Sequence, residues 1–401
     1  MKKFFAVLLA VVLVFAGFLA VRNQGLGFTA QASAEETAAD EEVTVQEAPA
    51  PKIELDFDKL YALHAPEDVI MEVNGSSVTW GDYFYCLYSQ TGRIYSTLQQ
   101  MAMYYGYNAS WDDPIDETGA ETVGSLAVSN SVEMFKQQVA VLDLAEETGT
   151  VLSAEDEAAI KEEVDGYFAQ LLGEDATEEQ KNDMLSKMYL TTEQFDNINR
   201  LSGLYAQCFN EGYGEHGEKV EDAKAVKYLE DNGYLAANHI LFMTIDPATR
   251  EALDEDAAAE KKALAEDTLA KLQAIEDKDG LIAAFAELKA ELCEDTGKTV
   301  FPDGYLFTPG TMVPEFEDAT SALGEYEISG LVESDYGYHI IMRLPLDPDM
   351  AIDKNNDGSD VTARYLVAQD EFTSDIQSRM DAMTVEYVNG YTAPKISDFV
   401  K

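Results

Sequence analysis

Two short apolar runs constrain the C-terminal half of this chain more than anything else in it. Leu235–Met243 reads LAANHILFM and Tyr338–Leu344 reads YHIIMRL, and each carries an imidazole followed by two branched apolar residues. Both have the length and bulk of buried strands. Between them lie an acidic, Ala-rich helical pattern at about 255–276, a second helix at Leu281–Leu292 and a loop reaching Phe307. A short helix at Pro314–Leu323 and a strand at Ile328–Glu333 follow. Strands that open and close a segment with helices between them predict a compact α+β unit, a sheet with helices over it, spanning 234–345. The sequence has only four histidines, so finding two of them at matching places in two strands needs a reason.

Upstream, the pattern is mostly helical. A length of 401 residues favours more than one domain. Residues 35–67 are acidic, contain EAPAPK, and read as a linker, with order expected from about Asp68. VIMEVNGSSVTW then predicts a strand, an Asn74-Gly75 turn, a second strand and a helix capped by Thr79. Ser153 with Asp156 forms a capping pattern for one later helix, and Thr192 is the expected cap of another. The helical domain is assigned 68–232. The remaining residues, 346–401, hold a helix at Val361–Met383 and an extended tail, with the helical domain as a packing partner.

Composition excludes some functions. The formal charge is −49, from 76 acidic and 27 basic residues. Such a chain has nothing to neutralise nucleic-acid phosphates and is repelled by anionic lipid. Cys86, Cys208 and Cys293 allow at most one disulfide, so buried free thiols are expected. At the N-terminus, Met1-Lys2-Lys3 precedes an apolar run from Phe4 to Val21, and Ala32-Ser33-Ala34 offers a small-residue cleavage site. Residues 1–34 therefore read as a signal peptide or an N-terminal membrane anchor. Either places the bulk of the protein outside the cytoplasm.

The segments of 234–345 resemble the parvulin family of peptidyl-prolyl isomerases. ANHILF is similar to the family's first strand with its His, and ELCEDTG to the segment bearing its central Cys or Asp. FTPGTMVPEFEDATSAL resembles the Phe-x-x-Gly-x-Met…Phe-Glu block, and GEYEISGLVESDYGYHIIMRL the closing turn and His-bearing strand. The flanks resemble exported foldases of the PrsA and SurA types, in which a helical chaperone domain precedes the isomerase domain. The resemblance implies cis/trans isomerisation of Xaa-Pro bonds in unfolded or newly exported proteins, together with chaperone activity.

Rotation about an X-Pro bond is opposed by amide resonance, a barrier of about 18–20 kcal/mol. No bond breaks, so neither nucleophile, metal nor cofactor is needed. An apolar slot for the proline ring, exclusion of water and fixed polar groups suffice. By the resemblance, Met312 and Phe316 line the slot, at a spacing that shares one helical face if the helix begins early enough. His239 and His339 would lie on neighbouring central strands, each fixing the other's tautomer, as scaffold rather than proton-transfer groups. Asp295 falls where the family has Cys or Asp, with Cys293 the competing assignment, and Ser334 is the hydroxyl supporting the imidazoles. The family's Gly-Gly-Asp-Leu-Gly-Trp-Phe stretch reads Pro302-Asp303-Gly304-Tyr305-Leu306-Phe307 here. Its slot-walling Leu falls on Gly304, leaving Tyr305 or Leu306 as the replacement wall. No Arg/Lys cluster follows HILF, which points to unphosphorylated substrates.

A different reading keeps the parvulin fold as a binding module of a non-catalytic holdase. Asp353–Asp360, DKNNDGSD, resembles the first half of a calcium loop, but Arg364 stands where a bidentate Glu belongs, so a polar turn is expected. The aromatic, Met-rich run at 95–111 suits either a core or an adaptable client surface.

Overall fold

The computed structural model describes residues 53–105, 109–116, 118–355 and 358–401. The signal or anchor segment and residues 35–52 of the expected linker lie outside them. The chain forms two units. One joins the described residues up to Glu211 with Phe372–Lys401, and the other is Gly212–Glu371.

The first unit begins earlier than the sequence suggests. Ile53, Leu55 and Leu60 are buried, and the Trp111 indole donates to the Ile53 carbonyl at 2.8 Å. Asp56 caps a short helix, α1 (Phe57–Tyr61), by accepting from the Lys59 amide. Residues 53–67 are thus part of the core and not a spacer. Their few apolar side chains, scattered among acids, have no periodicity of their own. They are ordered by pockets that only the folded unit supplies.

β1 (Val69–Val73) and β2 (Ser76–Thr79) form a hairpin. Its turn residues, Asn74 at φ 51° and Gly75 at φ 82°, have the left-handed backbone that a tight hairpin needs. The Asp82 amide donates to Thr79 Oγ1 at 3.2 Å, which starts α2 (Trp80–Tyr105) as expected. α2 packs on α3 (Val123–Thr148) around buried Trp80, Tyr83, Phe84 and Leu87. α4 (Ala154–Leu172) carries the Ser153–Asp156 capping box, and α5 is Glu178–Ser186. α6 (Thr192–Tyr213) is capped one residue before the expected Thr192. Thr191 Oγ1 accepts from the Gln194 amide at 3.2 Å, and the Gln194 side chain accepts from the Thr191 amide at 3.0 Å. Thr192 instead donates to Asn182 at 2.7 Å. The run at 95–111 divides: Leu98 and Trp111 are core, whereas Met103 is exposed. The tail closes the sheet, because strand Val385–Tyr387 pairs antiparallel with β1 on the edge away from β2. Leu55 also bridges to Val400, and the Lys401 amide donates to the Glu54 carbonyl at 2.9 Å.

The second unit opens with α7 (Asp222–Asp231) and centres on an antiparallel sheet. β3 (Leu235–Met243) is followed by α8 (Glu255–Gln273), α9 (Lys278–Leu292), β4 (Tyr305–Phe307), α10 (Pro314–Ser321), β5 (Val332–Ser334) and β6 (Gly337–Leu344). The strand order is β4-β3-β6-β5. α8 and α9 cover the face bearing Ile240, Phe242, Ile340 and Met342, through Leu272 and Phe285. α10 covers the other face, where Ala237 and Ile341 meet Phe307 and Phe316. β4 lies in what reads as loop; three residues are too few for a periodic signal. Beyond the core, β7 (Asp353–Lys354) pairs with β8 (Asp360–Val361), with Lys354 ion-paired to Asp360. Arg364 is occupied by Asp222 and Asp349.

Candidate active site

The two central strands bring the histidines together. In the β3–β6 register His239 lies opposite Ile341 and His339 opposite Leu241. Both imidazoles therefore project from one face, as diagonal neighbours. They are 7% and 4% exposed, with their Nδ1 atoms 3.4 Å apart. His239 Nε2 lies 3.0 Å from Asp295 Oδ2, and His339 Nε2 lies 2.7 Å from Ser334 Oγ. The Tyr305 hydroxyl donates to the same Asp295 oxygen, and the Gly297 amide donates to Oδ1 at 2.9 Å. The result is an unbroken chain: Tyr305, Asp295, His239, His339, Ser334. It ends where Ser334 Oγ accepts from the Tyr336 amide at 3.2 Å.

Each link comes from a local feature of the sequence. Asp295 caps the 3-10 turn Thr296–Thr299, which fixes its carboxylate beside β3. Beyond Ala237, β3 has no β4 partner, and residues 293–294 take over that edge. The Glu294 amide donates to the Leu241 carbonyl at 2.9 Å, and the Leu241 amide donates to Cys293 Sγ at 3.4 Å. Cys293 and Asp295 thus both lie beside His239, in different settings. Cys293 is buried against the β3 backbone, and Asp295 reaches the imidazole. Ser334 reaches His339 because β5 ends beside β6, with Ser334 opposite Gly337.

The chain polarises its members unequally. Burial would raise the Asp295 pKa, but the donors His239, Tyr305 and Gly297 hold it well below the usual carboxylate range. Burial would lower His239, yet its bond to Asp295 raises it. His339 has no carboxylate of its own; burial and the neighbouring His239 lower it to about 3. His239 is thus the imidazole that takes a proton, and His339 the one that stays neutral. The hydrogen bonds can run either way. A charged His239 donates to both Asp295 and His339, whereas a neutral His239 accepts at Nδ1 from His339.

Apolar residues stand against this chain. Phe316 is edge-on to His239 at 5.2 Å and to His339 at 5.8 Å between ring centres, and meets Phe307 at 5.7 Å. Met312 and Val313 pack on the same cluster. The expectation that Met312 and Phe316 share a helical face needs correcting, because α10 starts at Pro314. Met312 lies in the preceding loop, held where its amide donates to Glu317 Oε1 at 2.8 Å. Phe316, 3% exposed, forms the floor, and Met312 keeps the accessible surface.

The two candidates for the slot wall separate by the pleat. Tyr305 pairs with Ala237, putting it on the His239 face, 5.7 Å from that ring. Leu306 pairs with Ala236 and is buried on the opposite face. Leu306 is therefore not a wall of this site, since a strand inverts its side chains at every residue. Gly304 cannot take that role either. At φ 115°, a Cβ there would lie 2.7 Å from the Ala237 carbonyl oxygen. Sequence reasoning missed Gly297 and the task of the Tyr305 hydroxyl. The spacing Asp295-x-Gly297 was a turn signal that could have drawn attention to the first.

Comparison with known proteins places the same segment beside a known family. Residues 239–344 match the Rotamase family model, described as a PPIC-type PPIase domain. Foldase protein PrsA of Geobacillus kaustophilus is 33% identical over 184 residues, covering 39% of this chain and 57% of that protein. PrsA of Halalkalibacterium halodurans is 30% identical over 192 residues, covering 46% and 49% respectively. Chaperone SurA of Chromohalobacter salexigens is 32% identical over 108 residues, covering 27% and 23%. The chain spans about half the length of these PrsA relatives, at 57% and 49%. Residues 239–344 are a PPIC-type rotamase domain, and the chain that carries them is a relative of the PrsA-type parvulin foldases.

Proposed function

We propose that this protein is an extracytoplasmic foldase that isomerises Xaa-Pro bonds in unfolded or newly exported proteins and also holds such chains as a chaperone. The observation that carries the reading is the polar chain from Tyr305 to Ser334 set against the Phe316–Met312 surface. A rotating prolyl amide needs an apolar support for its ring and fixed charge near its carbonyl, and these residues supply both. Planar amide resonance puts negative charge on the carbonyl oxygen. An ionised Asp295 nearby disfavours that form and so favours the twisted one. Bond-breaking chemistry fits less well. Ser334 faces an imidazole whose pKa is lowered to about 3, a poor base for activating a hydroxyl.

Two further observations support the rest of the reading. The first unit holds an open cavity of about 580 Å³ lined by Tyr85, Phe135, Leu142, Leu201 and Leu204 among others. At its rim Leu142 and Val151 are 53% and 73% exposed, unusual for branched apolar residues and suited to an unfolded client. The basic, apolar N-terminus supports export, and no helix of the described residues is long and apolar enough to cross a membrane. The test is cis/trans exchange on unphosphorylated Xaa-Pro peptides with the full-length protein and its Met312→Ala variant. We expect exchange well above the uncatalysed rate, reduced about tenfold or more by the substitution. Folded protein with no exchange above that rate would sink the enzyme reading and leave the holdase.

A further inference from the structure

We propose that Tyr305 is a positioning residue for the isomerase site, its hydroxyl locking the Asp295 carboxylate, and that Gly297 and Gly304 exist to admit it. The inference rests on the isomerase reading for its catalytic consequence, and on geometry for the rest.

Four features converge on the phenol. Tyr305 is on β4, on the His239 face, with its ring against Phe301 at 5.6 Å and His239 at 5.7 Å. Its hydroxyl donates to Asp295 Oδ2, the oxygen that also faces His239 Nε2. A Cβ on Gly297 would lie 2.1 Å from the Tyr305 hydroxyl oxygen, so any side chain there displaces the phenol. One residue before the tyrosine, Gly304 lets β4 approach β3 so closely that a Cβ would meet the Ala237 carbonyl and Leu344. With Gly304 bare, the nearest β4 side chain on the His239 face is the tyrosine ring.

The chemical effect follows from shared acceptance. Asp295 Oδ2 divides its lone pairs between a phenol and an imidazole. The phenol fixes the carboxylate rotamer and keeps the group ionised, so the anion presented to a substrate carbonyl neither swings nor becomes protonated. It also limits how strongly Asp295 binds the His239 proton. Removing the hydroxyl makes the carboxylate more basic towards His239 and leaves it free to rotate.

Three variants of the full-length protein test this: Tyr305→Phe, Gly297→Ala and the double variant. The first readout is NMR titration of the His239 ring, which needs no activity. In Tyr305→Phe, His239 should titrate at higher pH than in the parent. Gly297→Ala should shift it the same way, and the double variant should shift it no further. The second readout is the pH profile of prolyl exchange. The acid limb, where Asp295 becomes protonated, should move to higher pH in Tyr305→Phe, with kcat/KM lower by about tenfold, the scale of one hydrogen bond to a charged group. An unchanged His239 titration in Tyr305→Phe overturns the proposal whether or not the protein is an isomerase. A raised KM with an unmoved pH profile also overturns it, leaving Tyr305 as an apolar wall. A shifted titration without exchange in any form would retain the lock and reject the isomerase reading.

Discussion

Replacing His339 with Asn should flatten the acid dependence of stability in the second unit. His339 is 4% exposed and its pKa is lowered to about 3, against about 6.5 for an unfolded histidine. Between those values the unfolded chain binds a proton that the folded chain refuses. Stability then rises with pH at close to 1.4 kcal/mol per pH unit, and the total cost by pH 3 is on the order of 5 kcal/mol. His239 works with the opposite sign. Its raised pKa contributes stability that is complete below about pH 6.5 and lost as pH climbs through the folded value. Asp295, lowered, contributes stability above its unfolded pKa of about 3.9 that disappears only in stronger acid. The pair of histidines alone thus sets an optimum near pH 6.5. In His339→Asn the acid slope should fall by about 1 proton equivalent between roughly pH 6 and 4. Absolute stability will also drop, because Ser334 and His239 lose a partner. The comparison of slopes is independent of that offset. Trp80 and Trp111 both lie in the first unit, so fluorescence does not follow this transition. Amide hydrogen exchange along β3 and β6 in mild urea does. Parallel pH profiles for parent and variant would refute the assignment of His339 as the neutral imidazole.

Other outcomes are equally definite. Gly304→Ala should destabilise the second unit by about 2 kcal/mol or more, through the clash with the Ala237 carbonyl and the strain of φ 115°, measurable by the same exchange experiment. Leu142→Asp with Val151→Asp should weaken suppression of client aggregation while leaving prolyl exchange on short peptides unchanged, because both residues line the cavity of the first unit and His239, Asp295 and His339 belong to the second.

The second unit was legible because its signals are local and strong. Leu235–Met243 is the β3 of the structure residue for residue, and the two histidines met where the resemblance implied. What the sequence hid depends on tertiary register. Whether Tyr305 or Leu306 faces His239 is decided by pairing with Ala237 rather than Ala236, a shift of one residue that no composition reveals. Gly297 looked like an ordinary turn glycine, since the phenol it accommodates arrives from a different segment. The order of residues 53–67 was hidden for the same reason, because their partners Trp111 and Val400 are distant in sequence. The shift of the α6 cap to Thr191 is a simpler matter. Thr191 and Thr192 both suit the position, and Gln194 three residues after the first selects it.

The pairing of Val385–Tyr387 with β1, and of Leu55 with Val400, has a temporal consequence. The first unit is assembled from both ends of the described chain, with Gly212–Glu371 inserted between them. A polypeptide made N-terminus first must wait for residues 385–387 before that sheet can close. Until then β1 presents a bare hydrogen-bonding edge, and Leu55 lacks its bridge partner Val400. The inserted unit is continuous and can finish while its host is still open. The protein would itself pass through an interval of exposure, set by the order of synthesis rather than by its own contact energies. Truncating the final strand would prolong that interval indefinitely, although no residue of the rotamase domain had been touched.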